Sequence, residues 1–197
     1  MAGMASIALF HSVLGVRAGV LDAAGRLRAA GHDVLVVDQY GGRFFDDYAE
    51  AGAHAGSVGF PALMAAALEA VRDLPDGFVA AGFSNGAGMA EYVATRRRCA
   101  GVLLFSGALP VAVLGAPSWP AGLPAQLHTA AGDPLRSAGW AAQLADEVAA
   151  AGGELEAFEY PGEGHLFTDP GLPAEYDPVA TEALWRHALA FCARVAG

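Results

Sequence analysis

The chain has 197 residues, 54% of them hydrophobic, and a formal net charge of −10. Length and apolar content fit one domain able to bury a sizeable core, and the acidic balance argues against nucleic acid and anionic membrane as partners. All 11 basic residues are arginines, which excludes lysine chemistry such as a Schiff base or a P-loop.

In chain order, Met1 to Ser6 carries no basic region, so no signal peptide is expected. Residues 7–10 are a short apolar run, the pattern of a buried strand, and end at His11-Ser12. Residues 17–30 have helical spacing through Val20, Leu21, Ala24 and Leu27, with Gly31 as a stop. Residues 33–38 read as a buried strand, and residues 39–56 as a loop punctuated by Gly41-Gly42, Asp46-Asp47 and Gly52. A helix is predicted over 57–73, with Pro61 in its first turns. Pro75-Asp76-Gly77 then turns into a strand over 78–83. A helix over 85–98 ends in Arg96-Arg97-Arg98, a basic run that complements the helix dipole. Strands follow at 101–105, 124–130 and 155–160, and helices at 137–151 and 178–195. This alternation implies an α/β fold with a doubly wound, mostly parallel sheet, helices on both faces and no separate cap, spanning 1–197.

The uncharged stretch from Cys99 to Gly132 is broken by Pro110, Pro117, Pro120 and Pro124 and does not read as a membrane span. Cys99 and Cys192 lack metal-like spacing and read as buried, reduced thiols.

Gly82-Phe83-Ser84-Asn85-Gly86 sits between a strand and a helix. It is a G-x-S-x-G nucleophile elbow, a sharp turn that presents a serine hydroxyl above a sheet. Serine is a poor nucleophile without a base in reach and a carboxylate to orient that base. Two later strand ends supply both. Ala131-Gly132-Asp133 exposes an aspartate, and Gly162-Glu163-Gly164-His165 places a histidine in a glycine-rich loop. The order Ser84, Asp133, His165 is that of α/β-hydrolases. Asp169, four residues past His165, suits a loop contact better than an orienting role. Glu163 reads as solvated, and His128 as a core residue inside a strand.

These motifs, together with His11-Ser12-Val13-Leu14-Gly15-Val16, Val37-Asp38-Gln39-Tyr40-Gly41-Gly42-Arg43 and Tyr160 through Phe167, resemble the dienelactone hydrolase family across most of the chain. The resemblance implies Ser84 as nucleophile, His165 as base and Asp133 as orienting acid. Oxyanion donors would be the backbone N–H groups of Asn85 and Val13. The sequence also departs from the family's founding enzymes. Serine replaces their cysteine nucleophile, and Ser12 stands where they carry a glutamate. Asp169 stands where they hold a substrate carboxylate with arginine. A neutral ester, lactone or thioester is therefore expected. The expected pocket residues are His11, Ser12, Arg43, Phe44, Leu109, Trp119 and Phe167, with Phe45 and Trp140 as further apolar candidates. The segment 106–123 is expected to wall the acyl or leaving-group side.

The chemistry needs no metal and no organic cofactor. The expectation is a cytoplasmic monomer or homodimer acting on a small molecule. An acyl transferase or cyclase using the same three residues, and a non-catalytic ligand-binding protein on the same fold, are the alternatives.

Overall fold

A computed structural model describes residues 3–196. Met1, Ala2 and Gly197 lie outside the described residues, and with them the first two residues of the signal-peptide reading and the ends of the 1–197 span. Strands β1 (Ser6–Phe10), β2 (Asp33–Val37), β3 (Phe78–Phe83), β4 (Cys99–Phe105), β5 (Ala125–Ala130) and β6 (Leu155–Tyr160) form one sheet in the order β2-β1-β3-β4-β5-β6. Every pairing is parallel. β3 and β5 are buried at every position, as strands covered on both faces must be.

Strand side chains alternate between the two faces, and each face collects its own helices. Ile7, Leu9, Val79 and Ala81 pack with Val20 and Leu27 of α1 (Ala18–Ala29) and with Leu184, Trp185 and Phe191 of α6 (Pro178–Val195). Ala8, Phe10, Ala80 and Leu104 meet the other helices. These are Leu63 of α3 (Phe60–Ala70), Met89 and Val93 of α4 (Asn85–Ala94), and Leu144 and Val148 of α5 (Trp140–Ala150).

One expectation fails. Residues 39–56 are not all loop, because Tyr48–Val58 forms helix α2. Its start is fixed by Asp47, whose side chain accepts from the Glu50 N–H at 2.9 Å. Glycine ends it: Gly59 has φ 85° and ψ 139°, and Pro61 opens α3 beyond the break. α3 therefore starts three residues later than expected, and the two helices meet at 81°. No single helix among the described residues is long and apolar enough to cross a membrane.

α4 stops at Ala94, short of the arginine run. Arg97 donates to the Val71 carbonyl at 2.5 Å and the Leu74 carbonyl at 2.8 Å, and Arg96 donates to the Leu114 carbonyl at 2.9 Å. The run thus ties loops together. Cys99 is half-buried and Cys192 buried. Both are free, and burial pushes both thiols up to about 12.

Candidate active site

Ser84 joins β3 to α4 with φ 52° and ψ −114°, a left-handed conformation that a side-chain-bearing residue adopts only under constraint. The constraint is visible in the glycines. A Cβ on Gly82 would run into the Gly86 carbonyl, and one on Gly86 into the carbonyls of Phe10 and His11. Only glycine lets strand, turn and the loop after β1 approach so closely. The Ser84 N–H donates to the Phe105 carbonyl at 2.7 Å, and its carbonyl accepts from the Ala87 N–H at 2.9 Å. The hydroxyl is thereby held above the sheet at the N-terminus of α4, where the helix dipole favours negative charge.

The loop after β6 brings His165 to it, with Nε2 lying 2.7 Å from Ser84 Oγ. His165 Nδ1 lies 2.6 Å from Asp133 Oδ2, and Asp133 is on the loop after β5. Both side chains are nearly out of solvent, at 7% exposure for His165 and 1% for Asp133. The other carboxylate oxygen accepts from the Leu135 N–H at 2.8 Å, which fixes the side chain. With Nδ1–H donated to Asp133, Nε2 carries the lone pair that faces the serine hydroxyl.

The histidine loop is anchored from two sides. The Leu166 N–H donates to Glu175 at 2.6 Å, and Glu175 accepts from the Tyr48 hydroxyl of α2 at 2.9 Å. Burial, with the Glu175 charge beside it, raises the Tyr48 pKa and keeps the phenol neutral. The Asp169 carboxylate is hydrogen-bonded elsewhere than to His165. It accepts from Arg17 Nε at 3.1 Å and from the Gly19 and Gly171 N–H groups at 3.0 and 2.8 Å. Arg17 also donates to Asp46 at 2.5 Å and to the Phe45 and Gly171 carbonyls. This buried pair locks together the loops after β1, β2 and β6.

Ser84 and His165 open onto a cleft of about 400 Å³. Val13, Asn85, Leu109 and Trp140 are among the residues that line it. The Asn85 N–H is the first amide of α4 and has no acceptor within the helix. Its side-chain amide is buried without a hydrogen-bond partner.

The other expected pocket residues are not brought to this cleft. His11 is fully buried, donating from Nδ1 to the Ser12 carbonyl at 2.6 Å and accepting the Gln39 N–H on Nε2 at 3.1 Å. Burial lowers its pKa. Ser12 Oγ accepts from the Leu14 N–H at 3.1 Å and faces a small crevice with Arg17 and Asp169. Arg43 lies over the Phe45 ring, and Phe44 points to solvent at 60% exposure. Phe45 packs into the core beside Tyr40 and His54. Trp119 is buried, donating to the Leu123 carbonyl at 2.9 Å, and Phe167 packs in the core against Tyr160. Of the segment 106–123, only its first four residues reach the cleft. The rest turns through a short 3-10 helix and buries Val111, Leu114 and Trp119.

The cleft's far wall had no clear signal in the sequence. It comes from Gly52, Ala55 and Gly56 of α2 and from Phe60 of α3. Leu135, in the β5–α5 connection, and Ala141, in the first turn of α5, also line it. The one available hint was the four-residue spacing of Gly52 and Gly56. Among the described residues, no group of three or more His, Cys, Asp or Glu side chains is arranged to hold a metal ion.

A six-stranded parallel sheet with an elbow serine and two loops converging on it defines an α/β-hydrolase fold. A model of the dienelactone hydrolase family matches residues 3–196, and the chain belongs to this family of hydrolases. No match to a curated protein was found. Among solved structures, the chain resembles a dienelactone hydrolase-like promiscuous phosphotriesterase from metagenomic libraries, with a TM-score of 0.80 and 21% identity, covering 99% of this chain and 88% of that one. A dienelactone hydrolase-like protein from Klebsiella pneumoniae aligns with a TM-score of 0.74 and 15% identity, covering 98% of this chain and 88% of that one. An α/β-hydrolase from a deep-sea metagenome, MGS-M1, aligns with a TM-score of 0.74 and 15% identity over 99% and 86%.

Proposed function

We propose that the chain is a serine hydrolase that cleaves a small, largely apolar carboxylic ester, lactone or thioester. The observation that carries this reading is the unbroken relay of Ser84 Oγ, His165 and Asp133, at 2.7 and 2.6 Å, opening onto an apolar cleft. Ser84 Oγ attacks the carbonyl carbon while His165 Nε2 takes its proton. Negative charge gathers on the carbonyl oxygen, and the backbone N–H groups of Asn85 and Val13 are assigned to hold it. The imidazolium returns the proton to the departing alcohol or thiol, leaving Ser84 acylated. Water then attacks the acyl group, His165 removes its proton, and a carboxylic acid departs as Ser84 is restored. Asp133 keeps Nδ1 protonated throughout.

A neutral substrate is favoured because the carboxylate of Asp169 is spent on Arg17, and Arg136, the one guanidinium among the described lining residues, is paired with Glu159 at 2.5 Å. The two free thiols support a reducing compartment such as the cytoplasm as the site of action. The test is hydrolysis of a panel of neutral p-nitrophenyl esters, lactones and acyl thioesters, with the acid product quantified and the pre-steady-state burst recorded. Turnover with a burst, absent from Ser84→Ala, is the expected result. Turnover that survives this substitution would overturn the assignment.

A further inference from the structure

We infer that the cleft takes a substrate bearing an extended linear apolar chain, and that Gly52 and Gly56 set how long this chain can be. The inference rests on the ester, lactone or thioester reading above and narrows it. A cleft of about 400 Å³ is far larger than an acetyl group needs. It falls in the range of roughly 300–1,000 Å³ that holds drug-sized ligands.

The lining is mostly apolar, with Ser106, Thr129, Arg136 and Ser137 as its polar members apart from the catalytic groups. Leu109 and Leu127 stand near Ser84, and Phe60, Leu135 and Trp140 stand at the mouth, where they are 50%, 54% and 36% exposed. Single exposed apolar residues are ordinary on a protein surface. These three border one opening from opposite sides, the α2–α3 bend and the β5–α5 connection, and the opening runs inward to the serine. Among the described lining residues there is no carboxylate, and Arg136 is paired with Glu159 at 2.5 Å. A hydrocarbon chain matches this lining better than one with a charged end.

Gly52 and Gly56 lie four residues apart on α2, on the face that borders the cleft. Glycine usually serves a positive φ or a close backbone approach. Neither has a positive φ, and a Cβ built on either meets nothing within 4 Å. Both are exposed residues that line the cleft, so a longer side chain at either position adds bulk at its wall. Because the backbone is helical, replacing either glycine raises helix propensity rather than straining the fold.

The experiment measures kcat/KM for p-nitrophenyl acetate, butyrate, hexanoate, octanoate and decanoate. A parallel series of ethyl, hexyl and octyl acetates tests whether the chain sits on the alcohol side. In one of the two series, kcat/KM should climb roughly three- to fourfold per buried methylene until the cleft is full. Gly56→Leu and Gly52→Leu should cut the ratio of octyl-chain to acetyl kcat/KM by about tenfold or more. Flat or falling values in both series, with acetate still cleaved, would sink the chain inference and leave the hydrolase reading standing. Were no ester turned over, the slot can still be read by calorimetry on Ser84→Ala with methyl octanoate and methyl acetate. Tighter binding of the octanoate, lost in the added Gly56→Leu variant, supports the slot; equal binding of both esters overturns it.

Discussion

The carboxyl ends of β3, β5 and β6 and the far wall of the cleft are built on different principles. At the strand ends, Ser84, Asp133 and His165 sit on buried loops whose backbone groups are individually bonded, and Gly82 and Gly86 admit no other residue. Along the wall, α2 and α3 present glycine and alanine with open space beyond, and Phe60, Leu135 and Trp140 remain partly in solvent. Reactive groups need sub-ångström placement, which rigid strand ends supply. A pocket's shape can change by one side chain without disturbing those ends. The first region is therefore expected to respond to substitution by losing activity, the second by changing preference.

The sharpest way to break this division is at the serine. Ser84→Ala should lose roughly 10⁴-fold or more in kcat/KM, and Asp133→Asn roughly 10³–10⁴-fold, both with thermal midpoints no lower than the wild type's. The check is ester turnover beside a melting curve, and a loss of fold in either variant would undo the separation of chemistry from scaffold. Arg17 tests the reverse. It touches no reacting atom but joins three loops through a buried pair with Asp169, the two side chains being 7% and 6% exposed. Arg17→Met leaves that carboxylate unpaired and should lower unfolding free energy by about 3–5 kcal/mol in chemical denaturation.

His128 sharpens the comparison from inside the sheet. It is fully buried, with Nδ1 2.9 Å from the Tyr160 hydroxyl and Nε2 2.9 Å from Gln126 Oε1. Burial, and then the neighbouring His187, lower its pKa from 6.5 to about 3. Below pH 6.5 the unfolded chain takes up a proton that the folded chain refuses, so stability falls as pH falls and returns above 6.5. This one group should cost about 3 kcal/mol between pH 6.5 and roughly 4, and His128→Gln should flatten that part of a stability–pH curve. The smallest effect belongs to the wall. Gly59 bends α2 from α3 in a backbone region nearly reserved for glycine, and Gly59→Ala should cost about 1–3 kcal/mol in the same denaturation assay. It should also change chain-length preference more than acetate turnover.

The same division governs what could be read from the chain. The elbow was legible because its glycines keep a fixed local spacing around the serine, and β1 to β4 were legible as short apolar runs between breakers, β5 and β6 by the turn and the glycine-rich loop that follow them. Helix α2 was not. Gly52, Gly56 and alternating alanines blur the helical period, and the bond from Tyr48 to Glu175 spans 127 residues. Whether Phe167 or Trp119 faces cleft or core depends on how its loop folds back, which no local pattern records. The pairing of Arg17 with Asp169, 152 residues apart, left no local trace either.

The most direct test is intact-mass spectrometry after incubation with a fluorophosphonate, on the wild type and Ser84→Ala. One stoichiometric adduct on the wild type, absent from the variant, is the expected result and would establish an activated Ser84. A folded wild type that stays unlabelled, or a Ser84→Ala variant that is labelled equally, would contradict the account at its centre.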